Sequence, residues 1–418
     1  MKILLVHNFY RSSMPSGENA VFLDEAALLR RRGHEVIEFR RRSDEISEGG
    51  PIGTLKGALS TPWNPFAAER MRKVLLAEQP DVMHVHNFFP LLSPAIFYAA
   101  NGLETSTVMT LHNYRLFCAA GIPMREGQPC TQCLTRKSVV PALRYGCYRG
   151  SRVATVPMVL MIELHRAMKT WADQVDAFVA LSDFQRRLMA QAGLPEEAIH
   201  VKPQFYPDPP EAQPWRSREN RIIFIGRLSE EKGVRILIEA WRAWGASAPH
   251  LEIVGDGPLK SVLTKASADA GLSSKICFAG QLPFDEAQRH LFGARVLLLP
   301  SLCFEGFPMV IREAFALAVP VIASRLGPLP GIVPEGVAGA LFRPGDPGDL
   351  LGVLRSLWDD QHRLAELARG ARGLFEEKYT ADSNYRTLID VYEIAIRRRQ
   401  RKNHTDLRCG WNHVLARA

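Results

Sequence analysis

The amino-acid sequence predicts an α/β protein built from two doubly wound parallel-sheet domains that face a cleft. First, 418 residues are too many for one hydrophobic core and suit two domains of about 200 residues each. Second, strand-like and helix-like segments alternate through the first half of the chain and again through the second. Third, a proline-rich stretch with few apolar residues, around 201–220, separates the halves as an interdomain linker would.

The first half supports a Rossmann-like domain over residues 1–203. Helical periodicity over 18–32 ends at Gly33 and lies between two strand-like runs. The predicted strands of this half are 2–9, 35–39, 81–86, 106–112 and 177–181. A cysteine-rich insertion at 116–149 interrupts the alternation.

The second half repeats the pattern after a linker at 204–220, so we expect a second Rossmann-like domain over 221–380. Its predicted strands are 221–225, 251–254, 276–278, 296–299 and 319–323. A helix at 381–399 is long enough to fold back onto the first domain, and a basic tail at 400–418 follows it. Ligands of such sheets bind beyond the carboxyl ends of the strands, so we expect the site at that edge of the sheets.

Composition and charge narrow the class of protein. The 46% hydrophobic and 23% charged residues are typical of a globular protein, and the longest apolar run, 153–162, is too short for a membrane span of ~20 residues. Because Lys2 leads directly into a strand-like run, we expect no signal peptide and a cytoplasmic protein.

The net charge of +8 does not indicate a nucleic-acid partner. Residues 397–418 hold seven Lys and Arg against Asp406 alone, which leaves 45 basic and 43 acidic residues in the rest of the chain. A basic end is usually solvated, but it can also be drawn to anionic lipid headgroups at the inner face of a membrane.

The loop after the strand at 221–225 reads Gly226-Arg227-Leu-Ser-Glu-Glu-Lys232-Gly233. Gly226 lets a ligand approach the backbone, and Arg227 and Lys232 are spaced so that both can reach one diphosphate. The alternative is a surface turn with two solvated cations. The position after a buried strand favours the diphosphate.

Two carboxylates, Glu305 and Glu313, flank Gly306, Phe307 and the start of a helix that Pro308 is well suited to open. A helix N-terminus attracts phosphate, and neighbouring carboxylates accept hydrogen bonds from sugar or ribose hydroxyls. The pattern therefore indicates a nucleotide-sugar site, although either residue alone would be interpreted as a solvated side chain.

In the first half, polar residues also gather where strands end. The loop Pro15-Ser16-Gly17-Glu18 joins the first strand to the first helix and can offer a backbone N–H to a phosphate. His86-Asn87 and His112 end two strands, and His84 lies just before them. Strand histidines are usually satisfied core residues, but at a ligand-facing edge they are candidates for substrate contact, with His112 favoured.

In their order and strand context, these motifs resemble family 4 of the retaining glycosyltransferases, a large GT-B-fold group that acts on nucleotide sugars. The resemblance covers nearly the whole chain and includes Thr110-Leu-His112 and Val254-Gly-Asp-Gly-Pro258. It implies that Arg227 and Lys232 hold the donor diphosphate together with Gly17, Gly226 and the Gly306-Phe307 turn, and that Glu313 accepts the ribose hydroxyls. It also implies that Glu305 lies beside the transferred sugar, that His112 lies near the anomeric centre, and that Glu18, His86 and Asn87 lie on the acceptor side.

The same resemblance implies a UDP- or GDP-sugar donor, a glycan or polyprenyl-linked acceptor, and a role in bacterial exopolysaccharide, lipopolysaccharide or capsule synthesis. Ser16 and Gly327-Pro328-Leu329 depart from the family, in which glycines are frequent at these loops. No Asp-x-Asp motif occurs, so a catalytic metal is not expected.

Four cysteines of the insertion, Cys118, Cys130, Cys133 and Cys147, suggest a structural zinc site. Cys130 and Cys133 have the close spacing of a zinc knuckle, and disulfides are not expected in a reducing cytoplasm. Only one of the two usual close pairs is present, so four unrelated thiols are an equal alternative.

Two other classes of function stay open. One is another enzyme on the same fold, such as a nucleotide-sugar epimerase or a phosphorylase. The other is a non-catalytic subunit that binds a nucleotide sugar.

Overall fold

The structure, a computed structural model, describes residues 1–10 and 16–415, with the backbone alone at residue 47 and beyond residue 404. Pro15 of the predicted phosphate loop and residues 416–418 of the basic tail lie outside the described residues. The chain forms two compact units, one of Met1–Gly121, Thr131–Lys202 and Tyr385–Ala418, and one of Ile122–Cys130 and Pro203–Asn384.

The first unit is centred on a six-stranded parallel sheet in the order β2-β1-β3-β4-β7-β8. In chain order the strands of the first half, including the short hairpin β5–β6 of the insertion, are β1 (Lys2–Phe9), β2 (Glu35–Arg42), β3 (Val82–Asn87), β4 (Ser106–Thr110), β5 (Met124–Arg125), β6 (Gln128–Pro129), β7 (Ala177–Ala180) and β8 (Ile199–Val201). Because β1 lies between strands on both sides, the sheet is doubly wound, as predicted.

Helices cover this sheet. They are α1 (Gly17–Arg31), α2 (Asp44–Glu48), α3 (Gly50–Ser60), α4 (Pro65–Glu78), α5 (Gln132–Thr135), α6 (Val140–Tyr145), α7 (Arg152–Ala167), α8 (Thr170–Asp173) and α9 (Asp183–Ala192), with 3₁₀ turns at Pro94–Ala100 and Glu196–Ala198. Side-chain oxygens of Asn64, Ser151 and Ser182 accept hydrogen bonds from the first turns of α4, α7 and α9, which fixes where these helices begin.

The second unit contains another six-stranded parallel sheet, in the order β11-β10-β9-β12-β13-β14. Its strands are β9 (Arg221–Ile225), β10 (His250–Val254), β11 (Ile276–Gly280), β12 (Val296–Leu299), β13 (Val321–Ser324) and β14 (Gly339–Phe342). Its helices are α10 (Arg235–Trp244), α11 (Lys260–Asp269), α12 (Phe284–Gly293), α13 (Met309–Ala316), α14 (Leu329–Ile332), α15 (Pro347–Trp358) and α16 (Gln361–Lys378), with 3₁₀ turns at Trp215–Ser217, Glu230–Lys232 and Gly245–Ser247.

The last helix, α17 (Ala381–Leu415), belongs to the first unit from Tyr385 onward. Leu388, Val391 and Tyr392 pack in one core cluster with residues of β1, β3, β4 and β7. Arg399 is also buried, and its Nε donates a hydrogen bond to the carbonyl of Thr105 at 3.0 Å. The helix was predicted to end at 399 but continues to 415, so the predicted tail is helical over its described part.

The two parallel sheets confirm the predicted fold class, but each sheet has one strand more than predicted. β8 is only three residues long and contains His200, and β14 begins with glycine, so neither shows a strand-like apolar run. The segment interpreted as a linker is buried at its start, where Phe205 and Tyr206 pack, and is exposed or half-buried over 207–217. None of the helices in the described chain is both long and apolar enough to span a membrane.

Candidate functional site

At the carboxyl edge of the sheet of the second unit, the loop after β9 packs against two others. These are the loop after β10 and the loop after β12. Their contact requires glycine at two positions. A Cβ added to Gly255 would lie 1.9 Å from the carbonyl oxygen of Gly226, and one added to Gly233 would lie 1.9 Å from that of Pro300. Gly233 also has a φ of +65°, a conformation that other residues rarely adopt. The glycines thus hold the loop of Arg227 and Lys232 against the neighbouring strand ends.

Lys232 and Glu305 form the central ion pair of this edge. The Nζ of Lys232 donates to both carboxylate oxygens of Glu305, at 2.8 and 3.0 Å, and Ser301 Oγ donates to Glu305 Oε1 at 2.6 Å. Burial opposes the charge of Lys232, but Glu305 outweighs it, so the pKa of Lys232 is raised above its ordinary value. Two of the predicted site residues are therefore brought together as a fixed, charged pair.

Arg227 lies in the same loop but differs from Lys232 in its surroundings. Its side chain is exposed, and within the described chain its guanidinium has no hydrogen-bond or ion-pair partner. An unpaired guanidinium is free to bind an anion in a bidentate manner.

Glu313 lies in α13, which begins at Met309, one residue after Pro308. Its side chain is 7% exposed, and its Oε2 accepts a hydrogen bond of 2.8 Å from Gln288 Nε2. Gln288 Oε1 in turn accepts one of 3.3 Å from the hydroxyl of Tyr206. The carboxylate that was predicted to bind ribose is thus oriented by two side chains from elsewhere in the sequence.

The turn before α13 is also packed. Phe307 is buried, with its ring 5.6 Å from that of Tyr379, and Gly306 precedes it. Ser301 and Gln288 were missed by sequence reasoning. Ser301 directly follows Pro300 at the end of a buried strand, which is a weak signal, whereas Gln288 lies in the middle of α12 and has no local signal.

In the first unit, the predicted histidines meet near the carboxyl ends of β1, β3 and β4. His86 Nδ1 lies 3.1 Å from His112 Nε2, and the two rings are stacked with centroids 5.3 Å apart. His7, which was not predicted, packs its ring against that of His86 at 6.3 Å and contacts Asn19 Oδ1 through Nε2 at 2.9 Å. Burial is the main cause that lowers the pKa of His86 to about 4 and holds that of His112 well below its usual range, so both rings are neutral near pH 7.

A buried ion pair lies beneath these histidines. Lys202 Nζ donates to Glu25 Oε2 at 2.8 Å, and both side chains are about 1% exposed. Burial alone would raise the pKa of Glu25, but Lys202 and the adjacent histidines outweigh it and hold that pKa well below its usual range.

Glu25, His84 and His86 form the one set of at least three metal-ligating side chains in the described chain whose ligand atoms lie within 4.8 Å of one another. The ammonium group of Lys202 already supplies the positive charge that this carboxylate needs. A divalent cation there would be repelled at short range, so we interpret the set as an ion-paired network.

The other predicted residues of the first unit have local partners. Gly17 is the first residue of α1, and Glu18 Oε1 accepts a hydrogen bond of 3.1 Å from Asn113 Nδ2. Burial raises the pKa of Glu18. The amide of Asn87 donates to the carbonyl of Asn8 at 2.8 Å and accepts from the backbone N–H of Phe89 at 2.9 Å, so it also holds the turn that follows β3.

Three of the four cysteines of the predicted zinc site lie in the first unit. The pKa of the Cys118 thiol is raised to about 12, mainly by burial and also by the proximity of Cys133 and Cys147. Cys130 is grouped with the second unit. The zinc site stays a prediction.

A cavity of about 510 Å³ lies at the opposite, amino edge of the first sheet, where Asp81 and Thr105 precede β3 and β4. α17 contributes Ile396 and Gln400 to its wall. The cavity is therefore separate from the histidine cluster at the carboxyl edge.

Comparisons with known proteins show the family and the fold of this chain. Residues 15–206 match the family model of Glycosyltransferase Family 4, and residues 207–373 match that of Glycosyl transferases group 1. The chain is 31% identical over 344 residues to an uncharacterised glycosyltransferase of Methanocaldococcus jannaschii, a match that covers 80% of this chain and 81% of that protein. It is 32% identical over 180 residues to the amylovoran biosynthesis glycosyltransferase AmsK of Erwinia amylovora, which covers 41% of this chain and 44% of AmsK.

Among solved structures, that of HepE from Anabaena in complex with UDP superimposes with a TM-score of 0.64 at 18% identity, covering 94% of this chain and all of that one. At this identity the likeness concerns the fold, which is GT-B. Together, the sequence matches and the two six-stranded parallel sheets place this chain in glycosyltransferase family 4.

Proposed function

We propose that this glycosyltransferase moves a sugar from a nucleoside-diphosphate sugar to a glycan or lipid-linked acceptor, with retention of anomeric configuration. The Lys232–Glu305 pair carries the proposal, together with the exposed guanidinium of Arg227 in the loop that contains Lys232. It supplies fixed positive charge for a leaving diphosphate and a carboxylate for the transferred sugar at one edge of the second sheet.

Cleavage of a sugar–diphosphate bond passes through an oxocarbenium-like transition state and leaves negative charge on the phosphate. Cations held in place before the reaction stabilise that charge without reorganisation. In this proposal Lys232 and Arg227 bind the diphosphate, Glu313 accepts ribose hydroxyls, and His112 contributes a neutral ring near the anomeric centre. These groups suffice for the charge that develops, so we expect transfer to continue in the presence of EDTA.

The comparisons support the choice of donor and pathway. HepE has been crystallised with UDP, which supports a nucleotide sugar, a UDP- or GDP-sugar, as the donor here. AmsK acts in amylovoran biosynthesis, and its match to this chain supports a role in bacterial exopolysaccharide, lipopolysaccharide or capsule synthesis.

An exposed apolar surface supports peripheral contact of the first unit with the inner face of the plasma membrane. Eighteen large apolar side chains are exposed on the described surface. Eleven of them fall within two segments of the sequence, residues 52–66 and residues 140–168. They lie on α3, α6, α7 and the start of α4, except Met168, which directly follows α7. α7 packs against both α3 and α6. Four of them follow the helical spacing of α7 and form one stripe: Val153, Val156, Leu160 and Leu164.

The charge around this surface favours an anionic lipid bilayer as the partner. Residues 131–169 contain seven Lys and Arg against Glu163 alone. Glu163 is itself paired with Arg166. Apolar side chains that enter the headgroup region, surrounded by cations, are the usual elements of an interfacial helix. We call these helices and cations the apolar–basic surface.

A thermal-shift screen with UDP, GDP, ADP and their sugars tests the donor assignment, since a ligand that binds only the folded state raises the melting temperature. Lys232→Ala should weaken the apparent affinity for the preferred nucleotide at least about tenfold, because a charged hydrogen bond is lost. The nucleotide should therefore cause a smaller thermal shift in this variant. Lys265→Ala removes an exposed ion pair with Asp269 on α11, outside the strand-end loops, and should leave the shift unchanged. Equal shifts in the two variants would contradict the assignment.

Glu313→Gln gives a second comparison. It should weaken binding of nucleotides that carry ribose hydroxyls. Glu252→Gln removes an equally buried carboxylate whose partner, Arg221, begins β9 at the other edge of the sheet. This control should lower the melting temperature without changing the nucleotide-induced shift.

Incubation with the preferred donor, with and without acceptor, separates the alternatives. A transferase forms product only when an acceptor is present. Conversion of the donor sugar without an acceptor would indicate an epimerase, phosphate-dependent release of sugar phosphate would indicate a phosphorylase, and binding without turnover would indicate a non-catalytic subunit.

A further inference from the structure

Glu25 is a buried carboxylate with no role in the site described above. It lies in the middle of α1 and is fully buried, and its two carboxylate oxygens have different neighbours. Its Oε2 pairs with Lys202 Nζ at 2.8 Å, and its Oε1 lies 3.2 Å from both His84 Nδ1 and His86 Nε2. Burying two charges costs several kcal/mol, so a pair in this position calls for an explanation beyond packing.

The two histidines beside Glu25 differ in their other neighbours. His84 has other partners, since its Nδ1 lies 2.8 Å from the hydroxyl of Tyr392 and its Nε2 lies 2.8 Å from Thr110 Oγ1. His86 Nε2 makes no hydrogen bond within the described chain, and the charged atom next to it is Glu25 Oε1, at an ion-pair distance of 3.2 Å. The opposite nitrogen of His86, Nδ1, faces His112 Nε2 at 3.1 Å.

This line of atoms determines where the protons lie. An anionic oxygen at 3.2 Å repels a lone pair on the facing nitrogen and attracts a proton there, so the field of Glu25 favours the tautomer of His86 with its proton on Nε2 and its lone pair at Nδ1. That lone pair accepts the proton on His112 Nε2, which leaves the Nδ1 of His112 unprotonated. A half-buried, neutral His112 therefore presents a hydrogen-bond acceptor, and not a donor, to whatever it meets.

We propose that Glu25 and His86 are positioning residues that fix the tautomer and ring orientation of His112 through this line, with Lys202 as the counter-ion that keeps Glu25 ionised. The inference rests on the proposed function, in which His112 lies near the anomeric centre. Its Nδ1 then accepts a hydrogen bond from a hydroxyl of the transferred sugar. A carboxylate that holds a histidine in one tautomer for catalysis is a recurrent arrangement in enzymes.

The test uses variants that keep the buried charges balanced. Glu25→Gln alone leaves Lys202 without a counter-ion and can fail to fold, so the informative protein is the double variant Glu25→Gln/Lys202→Met. We expect it to fold and to keep the nucleotide-induced thermal shift, with kcat reduced about tenfold to a hundredfold and the donor KM within about threefold. A kcat equal to that of the wild type would overturn the proposal.

His84 offers a matched control, because it is as buried as His86 and equally close to Glu25. His86→Gln should reduce kcat, whereas His84→Gln should leave it within about twofold, given that His84 contacts Tyr392 and Thr110 and not His112. Equal losses in the two variants would show general disruption of the core and would contradict a positioning role.

A second measurement does not depend on turnover. Imidazole ¹⁵N spectra report the tautomer of each histidine, and the His112 signals are assigned by their disappearance in His112→Gln. We expect the Nε2–H form in the wild type and a mixture of forms in the double variant. A wild-type His112 in the Nδ1–H form, or the same spectrum in both proteins, would overturn the proposal, while a protein with the expected spectra but no transfer would instead contradict the proposed function.

Discussion

Several histidines of the first unit are buried and neutral, which makes the stability of the protein sensitive to acid. Burial is the main cause that lowers the pKa of His7 to about 3 and the pKa values of His86 and His165 to about 4. In the unfolded chain a histidine titrates at about 6.5. Below that pH the unfolded state binds more protons than the folded state, so stability rises with pH.

We therefore expect the histidine contribution to the free energy of unfolding to be constant above about pH 6.5. It should fall as pH is lowered toward 4, by about 1.4 kcal/mol per pH unit for each such histidine. His165, which contacts Thr170 Oγ1 and the carbonyl of Pro62, is suited to a test outside the histidine cluster. His165→Gln should reduce the slope between pH 6 and 5 by about 1.4 kcal/mol per unit in urea unfolding. His362→Gln alters an exposed side chain and should not change it, and identical slopes in all three proteins would refute the explanation.

At the level of single residues, the sequence predicted groups that stand in strand-end loops and missed those that act from a distance. Lys232 and Glu305 were predicted because each lies just after a buried strand, and the structure joins them at 2.8 Å. Glu25 and Gln288 lie in helices with ordinary surroundings in the sequence. Their partners are 177 and 25 residues away, and no local pattern encodes such contacts.

At the level of elements, the glycine turns fix how the strand-end loops pack. Gly233→Ala would place a Cβ at 1.9 Å from the carbonyl oxygen of Pro300 and force a left-handed φ on alanine. We expect it to lower the free energy of unfolding by at least about 2 kcal/mol and to weaken nucleotide binding, because Lys232 would be displaced from Glu305. Both effects can be measured by urea unfolding and thermal shift.

Gly373 is the matched control for this change. It lies within α16, where an added Cβ meets nothing within 4 Å. Gly373→Ala should raise the free energy of unfolding by up to about 1 kcal/mol, because alanine favours the helix, and should not affect binding. A Gly233→Ala protein as stable as the wild type would show that the loop has room to move.

The cysteine-rich insertion gives a separate element-scale prediction. If the four cysteines bind zinc as thiolates, the purified protein should contain about one zinc per chain by elemental analysis. Cys133→Ser should abolish this zinc, and a chelator should lower the melting temperature of the wild type only. Metal-free protein whose melting temperature does not respond to a chelator would favour the alternative of four unrelated thiols.

The elements themselves were predicted as far as their local patterns were strong. Ten strands were recognised from their apolar runs, whereas β8 and β14 were missed because pairing with a neighbouring strand, and not composition, makes them strands. α17 was predicted to stop where its basic residues accumulate. It continues because contacts such as that of Arg399 with Thr105 hold it against the first unit.

On the scale of the whole molecule, positive charge lies in two places that the net value of +8 does not distinguish. One is the end of the chain, and the other is the stretch 131–169, whose cations accompany the exposed stripe of α7. From the sequence, lipid attraction was predicted for the basic end of the chain. The exposure of the α7 stripe could not be predicted, because its helical spacing of apolar residues is the same as that of a buried face. The structure supports the apolar–basic surface as the stronger candidate.

The two candidates make different predictions for binding to phosphatidylglycerol vesicles in a sedimentation assay. If the apolar–basic surface docks, Val156→Ser/Leu160→Ser and Arg149→Glu/Arg152→Glu should each weaken binding at least about tenfold, since each exposed cation contributes about 1 kcal/mol near an anionic surface and each buried apolar group adds a similar amount. Val262→Ser changes an equally exposed apolar residue of the second unit and should have no effect. Removal of residues 405–418 should reduce binding only slightly. Complete loss of binding on this truncation, or equal binding to phosphatidylcholine vesicles, would show that the apolar–basic surface is not the lipid-binding face.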